Sequence, residues 1–548
     1  MEQTSRHILV VGGGTSGAVL AARLSENPDV AVTLLEAGPD HDGYEATNIE
    51  PISASDTWGG VGTNIATTAM KTEAGAITAI QGRLLGGTSA INGLATLRGQ
   101  PADYDAWAAA GCGGWGWTDV VDTFIAAETD RDFHNSPLHG SKGPLPVRRW
   151  RREELDPGHA AFHDAMAEIG QPVATDINDP DQLPGVGIFP VTIDDQARRV
   201  STSLAYLTDD VRARDNLTIR TRAPVATIAI EAGRAHGVTL QSGEEITADE
   251  VVLTAGALYS PTILLRSGVG PKDHLSDYGI HVHADLPVGS TMSDHLGTAV
   301  LYHCKGARSG IAGPAQVVCV GASNGTDVDY HLMPISIHNP EKDPLTFSEK
   351  RRFFGQFKND GASPGLGTML SVLKFLLTPT TNSTLFTVAA LSLCSSGKGS
   401  VRLGETPDAA PKVVAPPLDD KVRQSLRHAF DRLADWEESD AFKANNIQSV
   451  LGQNLRAADA VETSLQRNTI SYFHMVGTCP MGTVLDADCR VHGIANLRVA
   501  DGSVMPQIPR GNTYLGCVMV AERIARKMLG DASSSASGDI SAARTGHG

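Results

Sequence analysis

The first 36 residues restrict the possible folds of this chain more than any other segment. They contain a short apolar run, a glycine-rich turn, a stretch with helical periodicity, a second apolar run and an acidic residue. These are, in order, Ile8–Val11, Gly12–Gly17, Ala18–Leu24, Ala31–Leu35 and Glu36. A strand, a glycine turn, a helix, a strand and an acid in this order predict a βαβ unit that binds a dinucleotide.

Three glycines of this turn are each required for a separate physical reason. Gly12 permits the tight turn, Gly14 lets a pyrophosphate approach the backbone, and Gly17 lets the helix pack closely on the strand. The free N–H groups and the positive dipole end of the helix would bind the phosphates. Glu36 follows Gly12 by 24 residues, where a carboxylate accepts hydrogen bonds from ribose hydroxyls. The motif by itself does not distinguish NAD from FAD.

Composition excludes several classes of protein. The 548 residues carry a formal net charge of −17, which argues against a nucleic-acid binder or an anionic-membrane binder. The seven cysteines include no CxxC pair, so we expect a reducing compartment and neither a disulfide framework nor a metal site. The N-terminus lacks a signal-like apolar stretch, and the apolar runs Met369–Leu377 and Leu385–Cys394 are too short to span a membrane. A cytoplasmic protein without a membrane span is therefore expected.

The rest of the chain divides by pattern. Residues 39–80 have no clear periodicity and are interpreted as loop, and a second glycine cluster occupies Gly82–Gly93. Strands are predicted near 217–220, 224–230, 235–240, 250–254 and 497–500, and helices at 119–128, from about Ser260-Pro261, at 418–438 and at 514–528. Strand-like runs at 298–303, 316–320 and 328–333 indicate a separate domain within 297–470. The last residues, 531–548, are rich in Ser, Gly and Ala and are predicted to be a disordered tail.

Five motifs together resemble the glucose–methanol–choline family of flavin oxidoreductases. They are Gly12–Gly17 with Glu36; Gly82–Gly93; Gly256–Gly270; Pro287–Gly289 with Asp294-His295; and His474–Gly482 with Val491–Gly493 and Leu497–Pro506. The resemblance runs from residue 7 to about residue 528. It implies an α/β protein with a Rossmann-like FAD-binding domain and a second α+β substrate-binding domain built on an antiparallel sheet. The implied FAD-binding domain is 1–150, 200–296 and 475–530, and the implied substrate-binding domain is 151–199 and 297–474.

The resemblance also implies which residues bind FAD and which perform the chemistry. The residues expected to bind the cofactor are Gly12, Gly14, Thr15, Ser16, Gly17, Glu36, Ala37, Arg83, Gly86, Gly87, Thr88, Asn92, Gly93, Val225, Ala255, Asp501, Gly502, Asn512 and Thr513. His474 and Asn512, 38 residues apart, match the family's catalytic pair. A neutral imidazole can take a hydroxyl proton, and an amide can hold the substrate oxygen. His295 and His492 are expected to be structural.

Three further expectations concern the cofactor and the reaction. Some family members carry the flavin on a histidine of the second glycine cluster, but residues 81–99 contain none and Ile91 lies near that place, so non-covalent FAD is expected. The expected reaction is oxidation of a small-molecule alcohol, with oxygen or another electron acceptor. Two alternatives stay open: a hydroxynitrile lyase on the same scaffold, which Asn512 in place of a second histidine disfavours, and an NAD-dependent oxidoreductase. The sequence determines neither the alcohol nor the oligomeric state.

Overall fold

A computed structural model describes residues 6–40, 65–305, 315–338, 383–394 and 397–542. In these residues the strands are β1 Arg6–Val11, β2 Val30–Leu35, β3 Ile65–Thr72, β4 Gly75–Gly82, β5 Glu128–Asp130, β6 Leu145–Arg149, β7 Gly185–Ile188, β8 Pro190–Val191, β9 Leu217–Arg220, β10 Val225–Glu231, β11 Arg234–Leu240, β12 Glu245–Thr247, β13 Glu250–Leu253, β14 Leu296–Lys305, β15 Val317–Gly321, β16 Tyr330–His338, β17 Ser383–Ser392, β18 Ser400–Arg402, β19 Lys412–Val414, β20 Gln448–Ser449, β21 Ile470–Ser471 and β22 Leu497–Val499.

The α-helices of the described residues are α1 Thr15–Leu24, α2 Pro101–Ala109, α3 Trp117–Ala127, α4 Pro157–Glu168, α5 Thr202–Tyr206, α6 Asp209–Arg212, α7 Gly256–Arg266, α8 Lys272–Ser276, α9 Asp420–Glu438, α10 Asp440–Ala444, α11 Ala460–Asn468 and α12 Thr513–Ala542. Short 3₁₀ helices occupy Gly87–Ala90, Arg152–Glu154, Pro180–Gln182 and Gly502–Val504.

A parallel sheet carries the N-terminal motif. Its five strands are ordered β22-β13-β1-β2-β9, and every neighbouring pair is parallel. All four residues of the Ile8–Val11 run are buried, as expected for a central strand covered on both faces. Helix α1 packs against α12, and the Ser16 hydroxyl donates to the Cys517 carbonyl at 3.1 Å. The predicted Rossmann-like unit is confirmed.

A second, antiparallel sheet lies in the other part of the chain. It has seven strands: β20-β14-β17-β16-β15-β7 in order, with β21 also paired to β14. Its strands come from 185–188 and from 296–471, and helix α9 packs against it. The predicted fold class is confirmed, including the antiparallel sheet. The exact domain boundaries stay a prediction.

The interpretation of residues 39–80 as loop is wrong for its second half. Strands β3 and β4 form an antiparallel hairpin from Ile65 to Gly82, and β3 also pairs with β19. The hairpin is rich in Thr, Ala and Gly, so its apolar face is weak by itself. The hairpin is extended into a larger sheet by β19, at 412–414, more than 300 residues later in the chain. Residues 41–64 lie outside the described residues.

Helix α7 begins earlier than predicted. It starts at Gly256, so Pro261 lies within the helix instead of in its first turn. A proline there cannot bond to the carbonyl four residues earlier, which belongs to Ala257. The Thr478 hydroxyl donates to that carbonyl at 2.7 Å, so the acceptor is satisfied from another part of the chain.

Two predictions fall partly outside the described residues. Helix α12 runs to Ala542, into the segment predicted to be a disordered tail, while 543–548 are not described. The tail therefore stays a prediction, and the apolar run Met369–Leu377 also lies outside. Among the helices that are described, none is long and apolar enough to cross a membrane.

Candidate active site

The first glycine turn lies at the carboxyl end of β1. Gly12 has a φ of +106°, and a Cβ there would lie 2.7 Å from the Thr254 carbonyl oxygen. A Cβ on Gly17 would lie 1.8 Å from the Gly12 carbonyl oxygen. Only glycine fits at these two positions, because one requires a left-handed backbone and the other a close contact between helix and strand.

Gly14 differs from both, because it has room. Its φ is −76°, and an added Cβ would meet only the Gly87 Cα at 3.7 Å and the Thr254 carbonyl oxygen at 4.0 Å. It precedes α1 and lines the central cavity. The unpaired N–H groups of the first helical turn therefore open onto the cavity, where an anion is favoured.

Glu36 ties the turn to the end of β2. Its Oε2 accepts the Gly13 N–H and its Oε1 accepts the Gly38 N–H, each at 2.8 Å. Burial raises the pKa of this carboxyl to about 7, although backbone hydrogen bonds act in the opposite direction. The carboxyl lines the cavity, and each oxygen keeps a lone pair for a further donor.

The second glycine cluster packs directly on the first. The Gly86 N–H donates to the Gly13 carbonyl at 2.7 Å, and a Cβ on Gly87 would lie 2.6 Å from the Gly14 Cα. Both residues have positive φ, +91° and +52°. Two backbone turns therefore form one small-residue surface, although they are separated by about 70 residues of sequence.

One cavity of about 950 Å³ connects these turns to His474 and Asn512. The predicted residues that line it are Gly12, Gly14, Thr15, Ser16, Glu36, Ala37, Arg83, Gly87, Thr88, Asn92, Gly93, Val225, Ala255, Asp501, Gly502, Thr513, His474 and Asn512. Gly17 and Gly86 are absent from this lining, and the cofactor-binding role of the whole set stays a prediction. The structure thus gathers residues from the N-terminus, the middle and the C-terminus around one space.

His474 lies on a buried segment beside α12. Asn512 Nδ2 lies 3.2 Å from His474 Nε2, and His474 Nδ1 lies 2.9 Å from His295 Nδ1. The ring stacks on Tyr472 with centroids 4.0 Å apart. In this amide orientation Asn512 Nδ2 donates, so His474 Nε2 is the acceptor and the Nδ1 proton of His474 forms the hydrogen bond to His295 Nδ1.

His295 contributes to the site, although the sequence predicts a structural role for it. Its neighbour Asp294 is buried and accepts the His474 backbone N–H at 2.9 Å and the Ser471 hydroxyl at 2.5 Å. The sequence does place His295 in one of the five motifs, in the Asp294-His295 pair. It does not show that His295 contacts His474, which is 179 residues away in the chain. His492 is exposed and lies away from the cavity lining.

Burial keeps these imidazoles neutral. It lowers the pKa of His474 well below the ordinary value, and the nearby His295 and His331 lower it further. Burial also lowers the pKa of His295 and of His331 to about 3 each. Burial raises the pKa of the Asp294 carboxyl to about 7. At neutral pH, His474 therefore presents an unprotonated Nε2 to the cavity.

The cavity fits FAD. At one end, Glu36, the first glycine turn and Gly87, which packs on Gly14, would hold ribose and pyrophosphate. Two buried acceptors among the lining residues, Gln81 Oε1 and Asn512 Oδ1, have no hydrogen-bond partner in the described chain. Buried acceptors of this kind point to a donor that a bound group would supply. The opposite end contains His474, so a bound cofactor and a substrate would meet there.

Known proteins agree with this geometry. Residues 6–297 and 395–521 match the N-terminal and C-terminal parts of the family described as GMC oxidoreductase. The chain is 31% identical to 5-(hydroxymethyl)furfural oxidase of Methylovorus sp., over 96% of this chain and 99% of the relative. It is also 31% identical to oxygen-dependent choline dehydrogenase 1 of Chromohalobacter salexigens, over 95% and 94%.

Solved structures give the same result. Pyridoxine 4-oxidase from Mesorbium loti superposes with a TM-score of 0.79 at 27% identity, over 95% of this chain and 99% of that one. Formate oxidase of Aspergillus oryzae, at 22% identity and a TM-score of 0.78, shares the fold. The chain belongs to the GMC oxidoreductase family and is an FAD-dependent alcohol oxidoreductase.

Proposed function

We propose that the protein oxidises an alcohol to the aldehyde or ketone, with His474 as the general base. The observation that carries this proposal is the neutral, buried His474 Nε2 at the cavity wall, beside the Asn512 amide. In this role, the substrate hydroxyl replaces the Asn512 amide as the donor to Nε2, and the single lone pair of Nε2 then accepts the hydroxyl proton. When bound, FAD supplies the acceptor, at flavin N5, for the hydride that leaves the carbinol carbon.

Asn512 completes the proposed arrangement. Its Nδ2, 3.2 Å from His474 Nε2, can donate to the substrate oxygen as negative charge develops on it. Its Oδ1 has no partner in the described residues and can accept from a donor on the cofactor or the substrate. The amide thereby holds the hydroxyl between itself and the base.

The antiparallel sheet supports a substrate with an uncharged body. The lining residues from β14, β16 and β17 are all uncharged: Ala299, Met333, Ile335, Thr387, Ala389 and Leu391. A cationic group against such a wall would lose its hydration without gaining a partner. A neutral alcohol of the hydroxymethylfurfural type therefore fits this wall better than choline.

The test is anaerobic mixing of the purified yellow protein with a panel of alcohols, including 5-(hydroxymethyl)furfural, benzyl alcohol and choline. Bleaching of the flavin absorbance by the neutral alcohols, and slower or no bleaching by choline, is the expected result. A lyase would convert its substrate without bleaching, and a panel without any bleaching would contradict alcohol oxidation. Admission of air then shows whether oxygen reoxidises the flavin at a useful rate.

A further inference from the structure

Arg199 is a buried cation with neutral partners. Its side chain is 7% exposed. Nη1 donates to Asn92 Oδ1 at 2.7 Å and to the Ser89 carbonyl at 3.3 Å, and Nη2 donates to the Asn92 carbonyl at 2.5 Å. Nε has no partner in the described residues. All of its acceptors are therefore uncharged.

The other buried arginines of the described chain do not share this property. Arg98 pairs with Glu128 at 2.7 Å, Arg148 with Glu154 at 2.7 Å and Arg498 with Glu250 at 2.6 Å, and Arg149 pairs with Asp130. Each of them is buried together with a carboxylate, as buried charges usually are. Within the described residues, Arg199 has no carboxylate partner, and burial lowers its pKa to about 9.

Arg199 lies next to the cofactor cavity, because its hydrogen-bond partners line it. Both Asn92 and Ser89 line the cavity, and so does Tyr514, which is a neighbour of Arg199. Tyr514 follows Asn512 by two residues in the chain. The guanidinium therefore lies one side chain behind the cavity wall, between the second glycine cluster and the segment that carries Asn512.

The reaction would create a negative charge with which this cation can interact. In the proposed reaction, the alcohol would lose a proton to His474 and a hydride to bound FAD, and would become the carbonyl product. The hydride brings an electron pair to a neutral ring system, so the reduced cofactor carries one additional negative charge. That charge appears inside the cavity, where the interaction between charges is much stronger than in water.

We propose that Arg199 is the positioning residue that supplies the countercharge for the reduced cofactor, acting through Asn92. Its fixed positive charge favours the reduced state over the oxidised state and so raises the reduction potential of the bound FAD. The oxidised ring system is neutral and gains little from the same charge. The inference rests on the proposed function for the direction of the charge change, but its test requires neither an alcohol nor His474.

The experiment measures the two-electron reduction potential of the bound flavin in full-length protein, by reductive titration against a reference dye. The variants are Arg199→Lys, which keeps the charge, and Arg199→Met and Arg199→Gln, which remove it. Arg198→Met is the matched control, because Arg198 is the exposed neighbour. We expect both neutral variants to lose at least tenfold in the equilibrium constant for reduction, a potential lower by about 30 mV. The Lys variant and the control should remain near the wild-type potential.

Sulfite affinity is a second readout, because the sulfite adduct also places negative charge on the flavin. The neutral variants should bind sulfite at least tenfold more weakly. Unchanged potentials in both neutral variants would overturn the proposal, and so would a fall in the Lys variant as large as that in Met. Loss of FAD from both neutral variants would assign Arg199 to cofactor retention and also overturn it. A failure of the alcohol panel with these potentials as expected would affect only the proposed function.

Discussion

His474 presents its Nε2 to the cavity with the Asn512 amide 3.2 Å away, and the proposed chemistry depends on this pair. We expect His474→Ala to lower the rate of flavin reduction by about 10²–10⁴-fold, about 3–5 kcal/mol, because the positioned base is lost. Asn512→Ala should cost less, because the base remains. His474→Ala should retain FAD, because the ADP site is formed by other parts of the chain. Anaerobic stopped-flow reduction measures the rates, and a His474→Ala protein reduced at close to the wild-type rate would remove His474 from the mechanism.

The pH dependence of the same rate follows from the lowered pKa of His474. The base is active when neutral, so the rate should rise with pH through a single inflection and then stay level. Because burial lowers the pKa, this inflection should lie well below pH 6.5 instead of near the ordinary imidazole value. His474→Ala should lose the inflection.

His295 provides a separate prediction, because its Nδ1 accepts the His474 Nδ1 proton at 2.9 Å. In His295→Ala, both tautomers of His474 become accessible, and we expect flavin reduction to slow about tenfold, or about 1.4 kcal/mol. Removal of this neighbour should also move the pH inflection upward, because His295 lowers the pKa of His474. His295→Asn keeps an acceptor and should recover part of the rate. An Ala variant with the wild-type rate and pH profile would contradict the tautomer argument.

At the scale of elements, the β1–turn–α1 unit contains one glycine that can be changed without a clash. An added Cβ at Gly14 meets nothing closer than 3.7 Å, so Gly14→Val should fold but fill space that the pyrophosphate needs. We expect loss of bound FAD with little change in far-UV circular dichroism. Gly12→Val is the matched contrast, because its φ of +106° and its close backbone contacts should impair folding itself. A Gly14→Val protein with full flavin content would contradict the assignment.

The second glycine cluster carries the prediction that FAD is bound non-covalently. Ile91 is buried with Leu84 and Ala90 in a small apolar cluster, so this position offers no nucleophile to the flavin. We expect acid or heat precipitation to release all FAD into the supernatant. Flavin fluorescence that migrates with the polypeptide in a denaturing gel would show that the bond is covalent instead.

For the whole molecule, a buried ionic cluster joins segments of both predicted domains. His139 contacts Glu128, Asp130 and Asp176 at 2.7–3.0 Å. Arg98 forms an ion pair with Glu128, and Arg149 forms one with Asp176. Burial lowers the pKa of His139, but its hydrogen bonds to the carboxylates outweigh burial and raise the pKa to about 10. Because the same carboxylates are paired with arginines and the imidazole, the site is an ion-pair cluster instead of a metal site in our interpretation.

This cluster predicts how stability varies with pH. The His139 contribution is fully present below about pH 6.5 and is lost as the pH rises toward 10, since its folded-state pKa is raised. Burial raises the pKa of Asp176, but the His139 hydrogen bond and Arg149 lower it overall, so its contribution is lost in acid. We expect His139→Gln to lose about 3–5 kcal/mol of unfolding free energy, because carboxylates remain buried with too little positive charge. Denaturant unfolding between pH 6 and 10 measures the loss in His139→Gln and its decrease as His139 deprotonates in the wild type, with exposed His492→Gln as the control. Equal stability of wild type and His139→Gln would rule out this role.

The sequence by itself determined the features whose physical reason is local. Gly12, Gly17 and Glu36 are set by one turn and its two strands, so a motif within 36 residues predicts them. His474 and Asn512 were paired through the family resemblance, in which the second residue follows the first by roughly forty positions; the structure brings the two side chains together, and their catalytic role stays a prediction. The Rossmann-like sheet followed from the βαβ pattern of the first 36 residues and from the family resemblance.

Only the tertiary structure decided which distant groups meet. His295 contacts His474 across 179 residues, Arg199 bonds to Asn92 across 107 residues, and the 65–82 hairpin pairs with β19. Local propensity depends on neighbours in the chain, whereas these contacts depend on how whole sheets pack. The pKa shifts of His474 and His139 arise in the same way, because burial and the facing charges exist only after the segments have come together.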